Sequence, residues 1–237
     1  MSQSDYNEFT VSLHGLESGD VAKGVSSAFT PPNGGGNFVH VFRSVNAQIG
    51  FAGWYYSALS AFNPITGNKG GSVRCAMRRY AAGSEYAPMI GLIAGTDLNS
   101  AKAYLLGLTD SDPYQIALRK GLVGGGLDPT DSDILRVSDA SYSANTRWFH
   151  LRLDVIVNPH GDVILNVFEN DLDINAVTSP DWQPISGMDA YTDDSVGVFT
   201  GTLPLTSSFR GFFGHYNGGE TGKISLFDHF ELLRHST

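Results

Sequence analysis

The chain has 237 residues, a formal net charge of −9, 28 glycines, one cysteine and charged residues at only 16%. A domain of this length buries on the order of 70–75% of the surface its extended chain exposes, so its core needs neither disulfides nor metal. The acidic balance argues against nucleic acid as a partner, because such proteins concentrate Lys and Arg, and the pairs Arg78-Arg79 and Arg119-Lys120 are too sparse to alter that.

Along the chain, Phe9, Val11 and Leu13 alternate as a first strand within a polar, weakly patterned segment reaching to about Ser27. Pro31-Pro32-Asn33 with Gly34-Gly35-Gly36 makes a loop, since proline lacks a ladder donor and glycine has no side chain to pack. Strands are predicted over Phe38–Val45, Gly50–Tyr56, Ser72–Tyr80, Ala87–Ala94 and Ala103–Leu108. Asp110–Pro113 is a turn before Tyr114–Arg119, and Gly124-Gly125-Gly126 opens an irregular segment running through Asp133, with a short strand at Ile134–Val137.

The clearest signal lies between Arg147 and Phe168. Phe149, Leu151, Leu153, Val155 and Val157 alternate with Trp148, His150, Arg152 and Asp154, the period of a half-buried strand. Asn158-Pro159-His160-Gly161-Asp162 then turns the chain into Val163, Leu165 and Val167, so a long antiparallel hairpin is expected. Asp171–Asp194 is loop-like, anchored by Trp182, Pro184 and Met188. Ser195–Thr200, Phe209–Tyr216 and a strictly alternating Lys223–Leu233 complete the strands.

About ten predicted strands with almost no helix imply an all-β fold, a two-sheet antiparallel sandwich, because so large an open sheet would leave an apolar face in water. Residues 1–237 read as one domain with 1–37 as a less regular N-terminal arm. The expected inter-sheet core holds Trp148, Phe149, Leu151, Leu153, Val163, Leu165, Phe199 and Phe227. Met1-Ser2-Gln3-Ser4-Asp5 carries no basic-then-apolar leader and no apolar run approaches about 18 residues, so synthesis in the cytoplasm without a signal peptide or membrane span is expected.

The segments Trp148–Val155, Gly161–Val167, Val196–Phe199 and Ile224–Leu232 resemble the concanavalin A-like and laminin G-like jelly rolls, in which a Trp opens a long strand and a Phe-Asp-hydrophobic strand closes the domain. The likeness covers residues 140 to 237 well and the first half poorly. Tyr104–Leu108, Asp112–Gly121 and the Trp148 strand resemble virion structural proteins of tailed bacteriophages carrying this fold. That resemblance implies a non-catalytic particle component, a head decoration or cement protein or one associated with tail or baseplate. It would be located in the virion, made in the host cytoplasm, and act through contacts with capsid, tail or baseplate subunits. Interfaces of about 1,600 Å² and a homo-oligomer are then expected, with the loops Phe29–Asn37 and Asp171–Asp194 as contact arms.

A carbohydrate-binding module for a host-surface glycan is the alternative, with Trp54 and Tyr56, two apart on one strand face, as the candidate stacking platform. A polysaccharide hydrolase or lyase comes third: Glu169, Asp171 and Asp173 have the alternate spacing of a carboxylate pair, but they read as solvated acids of a turn. Gly-x-Ser-x-Gly is absent, and Cys75 between Val73 and Met77 reads as a buried, inert thiol. No cofactor is expected. Histidines and cysteines lack zinc spacing, and His150, Arg152 and Asp154 read as a polar cross-strand network. Calcium has candidates at Asp193 and Asp194 and in the Asp128, Asp131, Asp133 group.

Overall fold

The alternating stretches become strands. The computed structural model describes residues 9–14, 17–56, 69–80, 86–94, 102–109, 114–122, 133–142, 147–194 and 209–235. The strands are β1 (Phe9–His14), β2 (Val21–Ser26), β3 (Val39–Ser44), β4 (Ile49–Tyr56), β5 (Lys69–Arg79), β6 (Tyr86–Ala94), β7 (Lys102–Leu108), β8 (Ile116–Leu122), β9 (Asp133–Val137), β10 (Phe149–Val157), β11 (Val163–Asn170), β12 (Trp182–Pro184), β13 (Tyr191–Asp193), β14 (Phe209–Gly218) and β15 (Ile224–His235). Two antiparallel sheets result. One is seven-stranded, in the order β1-β4-β14-β6-β7-β8-β9; the other is eight-stranded, in the order β12-β11-β10-β5-β15-β3-β2 with β13 also on β11. The architecture is a two-sheet antiparallel sandwich of jelly-roll type. The expected strand Ser195–Thr200, with Phe199, and Asp128 and Asp131 lie outside the described residues.

The main hairpin runs from Val157↔Val163 to His150↔Asn170. Its turn closes because Asn158 Oδ1 accepts the main-chain N–H groups of His160 and Asp162, both at 2.9 Å, while Gly161 takes φ 90°, a conformation that side chains disfavour. Leu151, Leu153 and Val155 face Val73, Cys75, Met77 and Phe227 of their own sheet and Ile90, Leu106, Leu118 and Phe213 of the other, in one buried core. The Cys75 thiol is wholly buried there, and burial pushes it well above the ordinary thiol range, as expected of an inert cysteine.

β6 and β7 read as continuous apolar runs for a reason the structure supplies. Ile90, Leu92, Tyr104 and Leu106 face the inter-sheet core, whereas Met89, Ile93, Ala103 and Leu105 join Phe212 and Tyr216 in a second buried cluster on the opposite face. A strand buried on both faces has no polar side to alternate.

Four expectations are corrected. Trp148 does not enter the core: position 149 faces inward, so 148 faces outward, and its half-exposed indole donates through Nε1 to the Thr30 carbonyl at 3.2 Å. Strict alternation over Lys223–Leu233 fails, because the β15 register against β5 shifts between Asp228 and Glu231, with His229 at φ 52°. The extra residue of this bulge brings Phe227 and Phe230 to the same core, although an unbroken period of two would oppose them. The loop-like Asp171–Asp194 contains β12 and β13, three residues each and too short to show a period. Val21–Ser26, read as unpatterned, pairs with β3 as an edge strand.

Two long charged side chains also bridge the sheets. Arg79 of β5 is buried, its guanidinium 3.9 Å from the Tyr114 ring centroid and donating to the Thr109 carbonyl at 3.2 Å. Lys120 of β8 meets Asp193 of β13 at 2.5 Å, and the Tyr104 hydroxyl donates to the same Oδ2.

His215 is fully buried between the hydroxyls of Ser44 (2.9 Å) and Ser225 (2.8 Å). Burial lowers its pKa to about 3, that of His40 to about 4, and that of His150 to about 3. Each is neutral when folded and free to protonate near its ordinary value of 6.5 when unfolded. The unfolded state therefore binds more protons as pH falls below about 6.5, and each histidine removes on the order of 1.4 kcal/mol per pH unit down towards its folded value. Asp228 and Glu169, whose carboxyls burial pushes up, act in the opposite sense near the carboxylate range. Urea denaturation at pH 7.5 and 5.0 is expected to show a clear loss of unfolding free energy at the lower value. Equal stabilities would show that these rings are not held neutral.

Candidate functional site

The outer face of the eight-stranded sheet, where β10 begins, gathers polar and aromatic side chains. Period-two alternation places Trp148, His150, Arg152 and Asp154 on this face, and the register sets Asn170 and Ala76 on either side of His150. Two loops close over its end. Asn33 donates through Nδ2 to the carbonyls of Leu172 (3.3 Å) and Asn175 (3.1 Å), and Val177 N–H donates to the Asn33 carbonyl at 2.8 Å. The two segments expected as contact arms thus pack on each other.

Between these loops and the start of β10 lies a cleft of about 210 Å³, lined among others by Pro32, Asn33, Arg147, Trp148, Asp171 and Asp173. Glu169 is not a turn acid: it stands on β11 and pairs with Arg147. Burial pushes its carboxyl up, and Arg147 opposes that. Asp171 and Asp173 do form a turn, in which Asp171 Oδ1 accepts the Asp173 N–H at 3.0 Å and the Asp171 carbonyl accepts the Asn175 N–H at 2.8 Å. Both acids are exposed at the cleft wall.

Beyond the cleft, the half-exposed Trp182 of β12 covers His150 with ring centroids 4.6 Å apart. Guanidinium groups of Arg74 and Arg152 lie 5.9 and 5.8 Å from its ring centroid. Each is held by a carboxylate: Arg74 donates to Glu231 at 3.0 and 2.5 Å, and Arg152 to both oxygens of Asp154 at 2.6 and 2.5 Å. The expected cross-strand network through His150, Arg152 and Asp154 forms only in part: Arg152 pairs with Asp154 along β10 itself, and His150 bonds across to Asn170 rather than to either. The bulge turns His229 onto this face, 6.1 Å from the His150 ring and 2.7 Å from Glu231. Gly35 fits only without a side chain, since a Cβ there would stand 2.5 Å from Asp228 Oδ2 and 2.9 Å from the Pro32 carbonyl.

The other sequence candidates lie elsewhere. Trp54 and Tyr56 are on β4 of the seven-stranded sheet, opposite Phe213 and Phe9 in the register; their side chains lie outside the described residues. Asp193 is buried against Lys120 and Tyr104, whereas Asp194 is exposed, and among the described residues no three His, Cys, Asp or Glu side chains converge as a metal site. Trp182 and His229 drew no functional attention in the sequence. Trp148 could have been found from its parity with His150, but nothing local signals that β12 or a bulge brings the other two alongside.

No family model and no curated protein matches the chain. Solved structures do. The carbohydrate recognition domain of Emp46p, in its potassium-bound form, is 10% identical with a TM-score of 0.52, covering 98% of this chain and 90% of its own. A GH43 glycoside hydrolase engineered for endo-xylanase and exo-arabinofuranosidase activity is 10% identical with a TM-score of 0.50, covering 84% of this chain, which spans only about a third (34%) of that enzyme. A legume lectin-like domain from Entamoeba histolytica is 12% identical with a TM-score of 0.46, covering 98% and 91%. At such identities the likeness is one of fold, the two-sheet antiparallel sandwich described above.

Proposed function

We propose that this chain is a glycan-binding jelly roll whose site is the cleft at the start of β10. The observation that carries the reading is the half-exposed Trp148 indole standing beside Asn33, Asp171 and Asp173 in one open cleft. A ring face suits the C–H surface of a pyranose, while amide and carboxylate oxygens accept its hydroxyl protons. The Emp46p domain is described as a carbohydrate recognition domain, which supports the same chemistry on the same fold. No catalysis is assigned: Glu169 is engaged by Arg147, and Asp171 holds its own turn. The virion role rests on the sequence resemblance, in which case the cleft would be a particle's host-facing surface.

Glycan-array binding with purified protein is the test. At least one neutral glycan is expected to bind, and Trp148→Ala to weaken it about thirtyfold or more, as for a buried aromatic anchor worth ~2 kcal/mol. Undiminished binding by Trp148→Ala would remove the cleft from consideration, and a silent array together with incorporation into particles would favour assembly alone.

A further inference from the structure

Among the described residues Arg147 is the only cation lining the cleft beside Trp148. A free guanidinium there would take up a sugar carboxylate, because its planar edge of N–H donors matches the two oxygens. This one is already engaged. Its Nη2 donates to Glu169 Oε1, and its central carbon lies 4.9 Å from the Tyr142 ring centroid and 4.8 Å from that of Phe149, two rings set nearly perpendicular and 5.0 Å apart. Glu169 follows Val163, Leu165 and Val167 in the inward parity of β11, so its carboxylate stands at the end of the core, 18% exposed. An arginine that turned to a ligand would give up all three contacts and leave a largely buried carboxylate unpaired.

The loop side of the cleft carries the opposite sign. Asp171 and Asp173 are exposed at its wall, and among the described residues neither is in an ion pair. One oxygen of Asp171 is taken by the Asp173 N–H, which leaves its other oxygen and both of Asp173 open to a ligand. Burial pushes the Glu169 carboxyl up, Arg147 opposes that, and the charge of Asp171 adds to it, so the acids around the cleft act on one another. Since Arg147 and Glu169 cancel, the two aspartates make the cleft negative.

Resting on the glycan reading above, we propose that Glu169 is a specificity-determining residue: by occupying Arg147 it makes the cleft select uncharged sugars and reject those that carry a carboxylate. An acidic sugar would meet Asp171 and Asp173 with no guanidinium to offset them, whereas the hydroxyls of a neutral sugar donate to those same oxygens. The selection works by repulsion of the wrong ligand as much as by attraction of the right one. It is electrostatic, so salt weakens it.

The test titrates the full chain calorimetrically with cellohexaose, xylohexaose and mannohexaose as neutral probes and hexagalacturonate as the acidic one, at about 0.02 and 0.3 M NaCl. At the lower salt one neutral hexasaccharide is expected to bind at least about tenfold more tightly than hexagalacturonate, and the gap to narrow at the higher. Glu169→Gln, which keeps an oxygen for Arg147 while removing the charge, is expected to raise the affinity for hexagalacturonate relative to the neutral probe about tenfold. Should this variant fail to fold, the salt response of the unmodified protein decides. Hexagalacturonate binding at least as tightly as every neutral probe, or a gap that neither salt nor Glu169→Gln narrows, would overturn the charge selection while leaving the cleft intact. A gap that salt narrows and Glu169→Gln does not would move the selection to Asp171 and Asp173 and overturn the role of Glu169. No binding by any hexasaccharide or array glycan would overturn both this inference and the glycan reading.

Discussion

Replacing Asp193 by alanine is expected to cost about 3–5 kcal/mol of unfolding free energy, the penalty for stranding a buried ammonium. Lys120 and Asp193 are 3% and 8% exposed, and the carboxylate joins a strand of the seven-stranded sheet to one of the eight-stranded sheet. Removing the carboxylate also deprives the Tyr104 hydroxyl of its acceptor. The loss belongs to the broken pair rather than to the charges themselves. Lys120→Met combined with Asp193→Leu is therefore expected to recover most of it, since apolar residues of similar volume often replace a buried pair without loss. Urea denaturation of the two variants beside the unmodified protein provides the measurement. An Asp193→Ala midpoint within error of the unmodified one would mean that Lys120 reaches water.

Leu151→Ala is expected to cost about 2–5 kcal/mol, because it removes a wholly buried side chain from the centre of the inter-sheet core and leaves a cavity. Leu151 sits on β10, flanked by Cys75 of β5 and Glu169 of β11, in a sheet whose strands cannot move independently to fill the gap. Leu151→Ile, which conserves volume, is expected to cost less than about 1.5 kcal/mol. A shift below about half a kilocalorie for the alanine variant would contradict the inward face assigned to positions 149, 151 and 153.

The site was partly legible in the residues. His150, Arg152 and Asp154 share a face by parity, and that face is where the structure finds the Arg152–Asp154 pair and the His150–Asn170 bond. Trp148 belongs to the same parity class, so grouping it with the core weighed hydrophobicity above period; the indole instead borders the cleft. In the sequence Arg79, Arg119 and Lys120 stood out only as members of sparse basic pairs, and nothing there signalled their burial, since Lys and Arg are almost never fully buried without partners. Those partners, Tyr114 and Thr109 for Arg79 and Asp193 for Lys120, come from distant parts of the chain.

The amino-acid order by itself determined the all-β class, the β10–β11 hairpin with its Asn158–Asp162 turn, and the inward face of most strands. These follow from side-chain period and turn chemistry, which act between near neighbours. Only the tertiary structure decided where β15 bulges, which buried charges meet across the sheets, and that the loops around Asn33 and Leu172 close a cleft beside Trp148. Those outcomes depend on contacts between residues scores of positions apart, whose geometry is set by strand register and sheet stacking and leaves no periodic trace in any one segment.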